Sequence, residues 1–71
     1  MTKITKFPVR LREALYLRNK TQLQLGIELG LSESYMSRLV NGQRYPSLGM
    51  LVDIAITLNV TTDYLLGLGS L

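Results

Sequence analysis

The chain has 71 residues, a hydrophobic share of 46% and a formal net charge of +3. A chain of this length forms one domain and buries roughly 60% of its unfolded surface, so its stability is marginal. It has no Cys and no His, which removes disulfides, thiol nucleophiles, an imidazole base and the commonest metal ligands.

With one Phe and no Trp, the core must come from Leu, Ile, Val and Met. No apolar run approaches the ~18 residues of a membrane span, and the N-terminus has no signal-peptide core. The expectation is a soluble cytoplasmic domain with no membrane partner. Charge is uneven along the chain. Residues 1–44 hold all eight Lys and Arg against Glu13, Glu28 and Glu33, a balance of +5, while residues 45–71 hold only Asp53 and Asp63. A basic half points to an anionic partner on one side, although small soluble domains are often basic without one.

The punctuation is helical throughout. Residues 1–7 read as an N-terminal arm. Phe7, Leu11, Ala14 and Leu15 recur at three- and four-residue spacing, which predicts helix one over residues 8–18 with Pro8 in its first turn. Thr21 caps a second helix, Gln22–Leu29, closed by Gly30. Ser32 caps a third, Glu33–Val40, closed near Asn41-Gly42. Ser47 follows Pro46 and caps a fourth, Leu48–Leu58, with Asn59 as its left-handed stop. Thr61 caps a short fifth, Thr62–Leu66, which ends at Gly67 and carries Asp63 in its first turn, where a carboxylate suits the dipole. Residues 68–71 form a tail too short to be an element. The expected fold class is all-α.

Between helices two and three, "LGLS" allows only a tight turn. Gly30 takes positive φ, Leu31 plugs inward and Ser32 opens the next helix. Gly26, one helical turn earlier, lets the two helices cross closely. A small residue, four positions, a glycine and an apolar plug form a helix-turn-helix signal. Leu31, Met36 and Leu39 anchor the third helix, while Glu33, Ser34, Ser37 and Arg38 form a polar outer face.

Through "TQLQLGIELGLSESYMSRLVNG", "RYPSL" and "LNVTTDYLLG", the chain resembles the phage repressor and Cro helix-turn-helix family, also called Xre-like, from about Arg10 to Gly67. The resemblance implies a compact five-helix lambda-repressor-like domain over residues 8–67, with the third helix in the major groove of an operator. It makes Glu33, Ser34, Ser37 and Arg38 the base-contacting residues. Arg38 suits guanine O6 and N7, a pairing worth ~1–3 kcal/mol of discrimination, and Glu33 suits cytosine N4. An acid in a helix's first turn also stabilises the dipole with no ligand, so Glu33 has two readings.

For backbone contacts, the amides opening helix two can hold a phosphate beside Gln22, with Thr21 and Ser32 at the two caps. Asn41, Gln43, Arg44 and the cap Ser47 line a second phosphate-binding loop, whose plainer reading is a polar surface loop. Tyr35 either reaches a phosphate or covers the helix.

Many relatives carry a buried Arg–Glu pair at the positions of Leu15 and Val40; replacing both charges together avoids a stranded ion, and the two positions should touch. Lys20 stands where relatives usually have an apolar residue. Leu17, Leu23, Ile27 and Ile56 fall where solvent is expected, either as scatter or as a protein-binding surface. Relatives of this size commonly dimerise around helix five, which makes Tyr64, Leu68 and Leu71 a candidate protein interface, unless that end simply fills the core and frays.

The expectation is therefore a non-enzymatic transcriptional regulator, a Cro-type repressor of bacterial, phage or prophage origin that binds double-stranded DNA, with a homodimer left open. No metal, cofactor or small-molecule ligand is expected. The competing reading is a protein-binding module on the same fold, an anti-repressor or antitoxin whose partner is a repressor protein or a toxin.

Overall fold

The computed structural model describes residues 6–71, which form five α-helices and, among the described residues, no strand. They are α1 (Phe7–Leu17), α2 (Gln22–Leu29), α3 (Glu33–Val40), α4 (Leu48–Leu58) and α5 (Thr62–Leu66). Four have the boundaries expected. α1 begins and ends one residue early, because Phe7 is a core residue and not part of an arm: its ring is fully buried and tilts against Tyr45 at a centroid distance of 6.3 Å. Lys6 of the expected arm is the N-cap of α1, and residues 1–5 lie outside the described residues.

Each of α2 to α5 opens on a hydroxyl that accepts an otherwise orphaned amide. Thr21, Ser32, Ser47 and Thr61 accept from the amides of Gln24, Tyr35, Met50 and Tyr64 at 2.9–3.2 Å. Gln24 returns the favour at Thr21, its side-chain oxygen accepting from the Thr21 amide at 2.8 Å, which completes a capping box.

All five helix ends close alike. A left-handed residue (Asn19, Gly30, Gly42, Asn59, Gly67) is followed by one whose amide donates to the carbonyl five residues back. This is the Schellman closure, in which the following residue usually adds an apolar contact. Leu31 and Val60 supply that contact, Leu31 packing half-buried on the core and Val60 within it. Lys20 occupies the same position after α1 and turns its ammonium to Glu28 at 2.7 Å instead.

Tyr64 apart, the core is apolar among the described residues. Phe7, Leu11, Leu25, Met36, Leu39, Ile54, Leu58 and Leu65 are its fully buried large side chains, and no polar residue is buried with them. α1 packs on α3 and α5, α2 on α3 and α4, and α4 on α5. Leu15 and Val40 are both buried in this core, so the paired apolar replacement is accommodated there.

Tyr64 departs from expectation. It is a candidate interface residue by resemblance, but it is 5% exposed, and its hydroxyl donates to the Glu13 carboxylate at 3.1 Å. Burial and then the Glu13 bond push its pKa above the ordinary value. Arg10 lies over the same ring, 5.1 Å from the centroid, and donates to Glu13 at 2.8 Å; that bond raises the guanidinium pKa. Leu68 and Leu71 are exposed, but the tail is tied back. The Leu68 amide donates to Asp63 O at 2.8 Å, and the Thr61 hydroxyl donates to Ser70 O at 3.1 Å.

Candidate nucleic-acid interface

The close crossing of α2 and α3 has a specific cause. A Cβ on Gly26 would stand 3.0 Å from Met36 Cγ and 3.2 Å from the Leu31 carbonyl, so a hydrogen there sets the spacing. The Leu31 amide donates back to Gly26 O at 2.8 Å, which fixes the turn. Met36 and Leu39 are fully buried and Val40 nearly so; they hold α3 by one side.

With about 100° between successive residues, Glu33, Ser37, Ser34 and Arg38 follow one another across an arc of about 140° opposite that anchor. Glu33, Ser34 and Arg38 are exposed and Ser37 is half-buried. The face is polarised. Glu33 lies on the side toward α2. Arg38 lies on the other, next to Tyr35, over whose ring the Arg44 guanidinium stacks at 5.0 Å from the centroid. Tyr35 is half-buried and packs on the core, so it both covers the helix and seats Arg44. The Ser37 hydroxyl accepts a hydrogen bond from Asn41 Nδ2 at 3.3 Å, which couples a face residue to the following loop.

That loop is anchored to the end of α3. The amides of Gln43 and Arg44 both donate to the Arg38 carbonyl, at 2.9 and 3.3 Å, and Gly42 lies against Pro8 of α1. The side chains of Asn41, Gln43 and Arg44 are exposed, as is Ser47 at the mouth of α4. Thr21, Ser32 and Ser47 accept backbone amides through their oxygens, which leaves each hydroxyl proton free to donate outward. Gln22 is half-buried at the start of α2.

The basic half of the sequence is not one continuous footprint. Arg12 donates to the Val40 carbonyl and caps α3. Arg18 donates through Nε to Leu58 O and through Nη2 to Asn59 O, both at 2.9 Å, and caps α4. Arg10 and Lys20 are paired with Glu13 and Glu28. Arg38 and Arg44 have no ion-pair partner among the described residues, and both belong to the α3 face and its loop.

Sequence reasoning missed these two caps, since a donor reaching across 28 or 40 residues leaves no local signature. It also missed Leu48 and Val52, 83% and 46% exposed, which stand one turn apart on α4 in line with Ile56, itself 72% exposed as expected. Leu17, Leu23 and Ile27 are exposed as expected.

Among the described residues no helix is long and apolar enough to cross a membrane. The model of the helix-turn-helix family matches residues 10–65. Comparisons with curated proteins and with solved structures gave no match. The match covers most of the chain and includes the α2–turn–α3 unit with its capped ends. The chain belongs to the Cro- and repressor-type (Xre-like) helix-turn-helix family of DNA-binding regulators.

Proposed function

We propose that this protein is a sequence-specific reader of double-stranded DNA, a small repressor whose α3 lies in the major groove. The carrying observation is the α3 face: four polar side chains over one arc, opposite an apolar anchor, with an unpaired Arg38 among them. Glu33, Ser34, Ser37 and Arg38 meet base edges, with Arg38 on a guanine. Thr21, Gln22 and Ser32 hold one phosphate at the open ends of α2 and α3. Asn41, Gln43, Arg44 and Ser47 hold a second, and Tyr35 seats Arg44 against it. The family favours a bacterial cytoplasm and a phage or prophage regulon.

Occupancy of a full operator calls for two copies on successive major-groove faces about 34 Å apart. A homodimer is part of this reading. With Tyr64 withdrawn into the core, the exposed apolar side chains include the α4 series Leu48, Val52 and Ile56, Leu68 and Leu71 of the tail, and Leu17, Leu23 and Ile27. The same surface supports the second reading, a module that binds another repressor protein.

The test is selection from randomised duplex DNA at ~0.15 M salt, where non-specific phosphate binding is weakened. A palindromic consensus supports a dimeric reader and gives the half-site spacing; a single half-site supports a monomer. With Arg38→Ala, discrimination should relax at one base pair while other positions keep theirs. Absence of any consensus from the folded protein would overturn DNA reading in favour of the protein-binding module.

A further inference from the structure

The N-terminal ends of α2 and α3 enclose a cleft of about 220 Å³ lined by Gln22, Leu23, Gly26, Leu31, Glu33 and Met36. Its walls are largely carbon. Gly26, Leu31 and Met36 pack closely in its lining, with Met36 Cγ and the Leu31 carbonyl against the place a Gly26 Cβ would take, and Leu23 is 51% exposed beside them. Glu33 is its one charged member.

The cleft interior is ill-suited to a phosphate, because Gln22 is its one side-chain donor and Glu33 repels an anion; the phosphate proposed above belongs with Thr21 and Ser32, which do not line it. Yet it adjoins the DNA face directly, since Gln22 and Glu33 belong to both. Along the major groove, the base edges carry a single apolar group, the C5-methyl of thymine. We propose that this cleft is a thymine-reading subsite, with Leu23 supplying the apolar contact from α2, outside the recognition helix. Glu33 beside it accepts from an exocyclic amino group, adenine N6 or cytosine N4, on the same or a neighbouring pair. The subsite rests on the DNA reading proposed above.

The subsite also gives the Glu33 flank a role. On the opposite flank Arg38 and Arg44 meet guanine and phosphate; here an acid and a leucine select a methylated pyrimidine beside an amino donor. The two flanks impose different requirements on the two ends of each half-site, which fixes the register of α3 along the groove.

The experiment uses the consensus duplex from the selection. Each thymine is replaced in turn by deoxyuridine, which removes the methyl alone, and binding is measured for the wild type and for Leu23→Ala. Leu23 is exposed, and Ala is the better helix former, so the variant folds. At one thymine, loss of the methyl should weaken wild-type binding about fourfold, the worth of one buried methyl-sized group. Leu23→Ala should bind the thymine duplex as weakly as the wild type binds the uracil one, and be indifferent to the methyl there. A consensus without thymine, or methyl removal that matters at no thymine or matters equally in Leu23→Ala, overturns the subsite and leaves the DNA reading standing. Absence of any consensus overturns both.

Discussion

Replacing Arg18 by Met separates two tasks a cation can have in this chain, binding DNA and closing a helix. The Arg18 guanidinium spans the end of α4 and donates to the Leu58 and Asn59 carbonyls, both at 2.9 Å. These carbonyls lie at the negative end of the helix, where a cation contributes ~0.3–1 kcal/mol. Hydrogen bonds from a charged donor are worth about 1.5–3 kcal/mol where well shielded. Arg18 is exposed and water competes for both carbonyls, so most of that value is discounted. The expected loss is about 1–2 kcal/mol, with Met retaining the aliphatic stem. In a domain of this size each kcal/mol lowers the melting temperature by about 4–8 °C. Urea unfolding followed by circular dichroism should show a lower midpoint at unchanged slope, since the surface exposed on unfolding is the same. Binding to a non-specific duplex should keep its salt dependence. An unchanged unfolding midpoint together with a shallower salt dependence would refute the assignment and return Arg18 to the DNA surface.

Gly26→Val should destabilise the domain by ~1–3 kcal/mol through overpacking, because even the first carbon of the new side chain stands 3.0 Å from a buried methionine and 3.2 Å from a backbone carbonyl. Wild-type stability in a urea melt would show that α2 and α3 are not held at this spacing. Tyr64 has a pKa raised by burial and by its bond to Glu13, so its neutral phenol contributes stability that is fully present below the unfolded value of about 10 and is lost as pH rises through the folded one. Alkaline titration of the unfolding midpoint should show this fall, and Tyr64→Phe should make it shallower; equal falls in the two proteins would remove Tyr64 from the account.

Local chemistry explains what was legible beforehand. The caps Thr21, Ser32, Ser47 and Thr61 act on amides three residues away, and the stops at Gly30, Asn59 and Gly67 act on carbonyls within the last turn, so each is written in a few adjacent letters. The polar face of α3 was legible for the same reason, since period and side-chain type settle which residues point away from Met36 and Leu39. Contacts between distant segments were not. Nothing near Arg18 in the sequence indicates that it ends a helix 40 residues later, and the local cue for Arg12 is equally absent. Tyr64 was misread because an amphipathic residue near an apolar tail suits an interface or a core equally well. The Glu13 carboxylate, 51 residues earlier, satisfies its hydroxyl and allows the burial. Arg44 stacking on Tyr35 was out of reach for a milder reason: the loop between them has to fold back first, through the amides that Gln43 and Arg44 donate to Arg38 O.

The division of the cations bears on how the protein holds DNA. A footprint counted from the sequence would include every Lys and Arg in residues 1–44, eight in all. Four of them, Arg10, Arg12, Arg18 and Lys20, have partners within the fold. Arg38 and Arg44 remain on the α3 face and its loop; in the proposed reading, phosphate binding elsewhere falls to amides and hydroxyls at the mouths of α2, α3 and α4. Each cation that neutralises a phosphate steepens the fall of log K with log salt by ~0.9, whereas neutral donors displace few counterions. If Arg38 is directed to a base, as proposed, Arg44 and whatever the N-terminal residues contribute set the slope. The expected slope is about −1 to −3 per protomer, against about −7 if all eight cations met phosphates. Arg44→Ala should reduce it by about one without changing which sequences are preferred. A slope near −7 for the wild type would mean that the internal ion pairs and caps open on binding, and that the fold seen here rearranges its cations to meet the duplex.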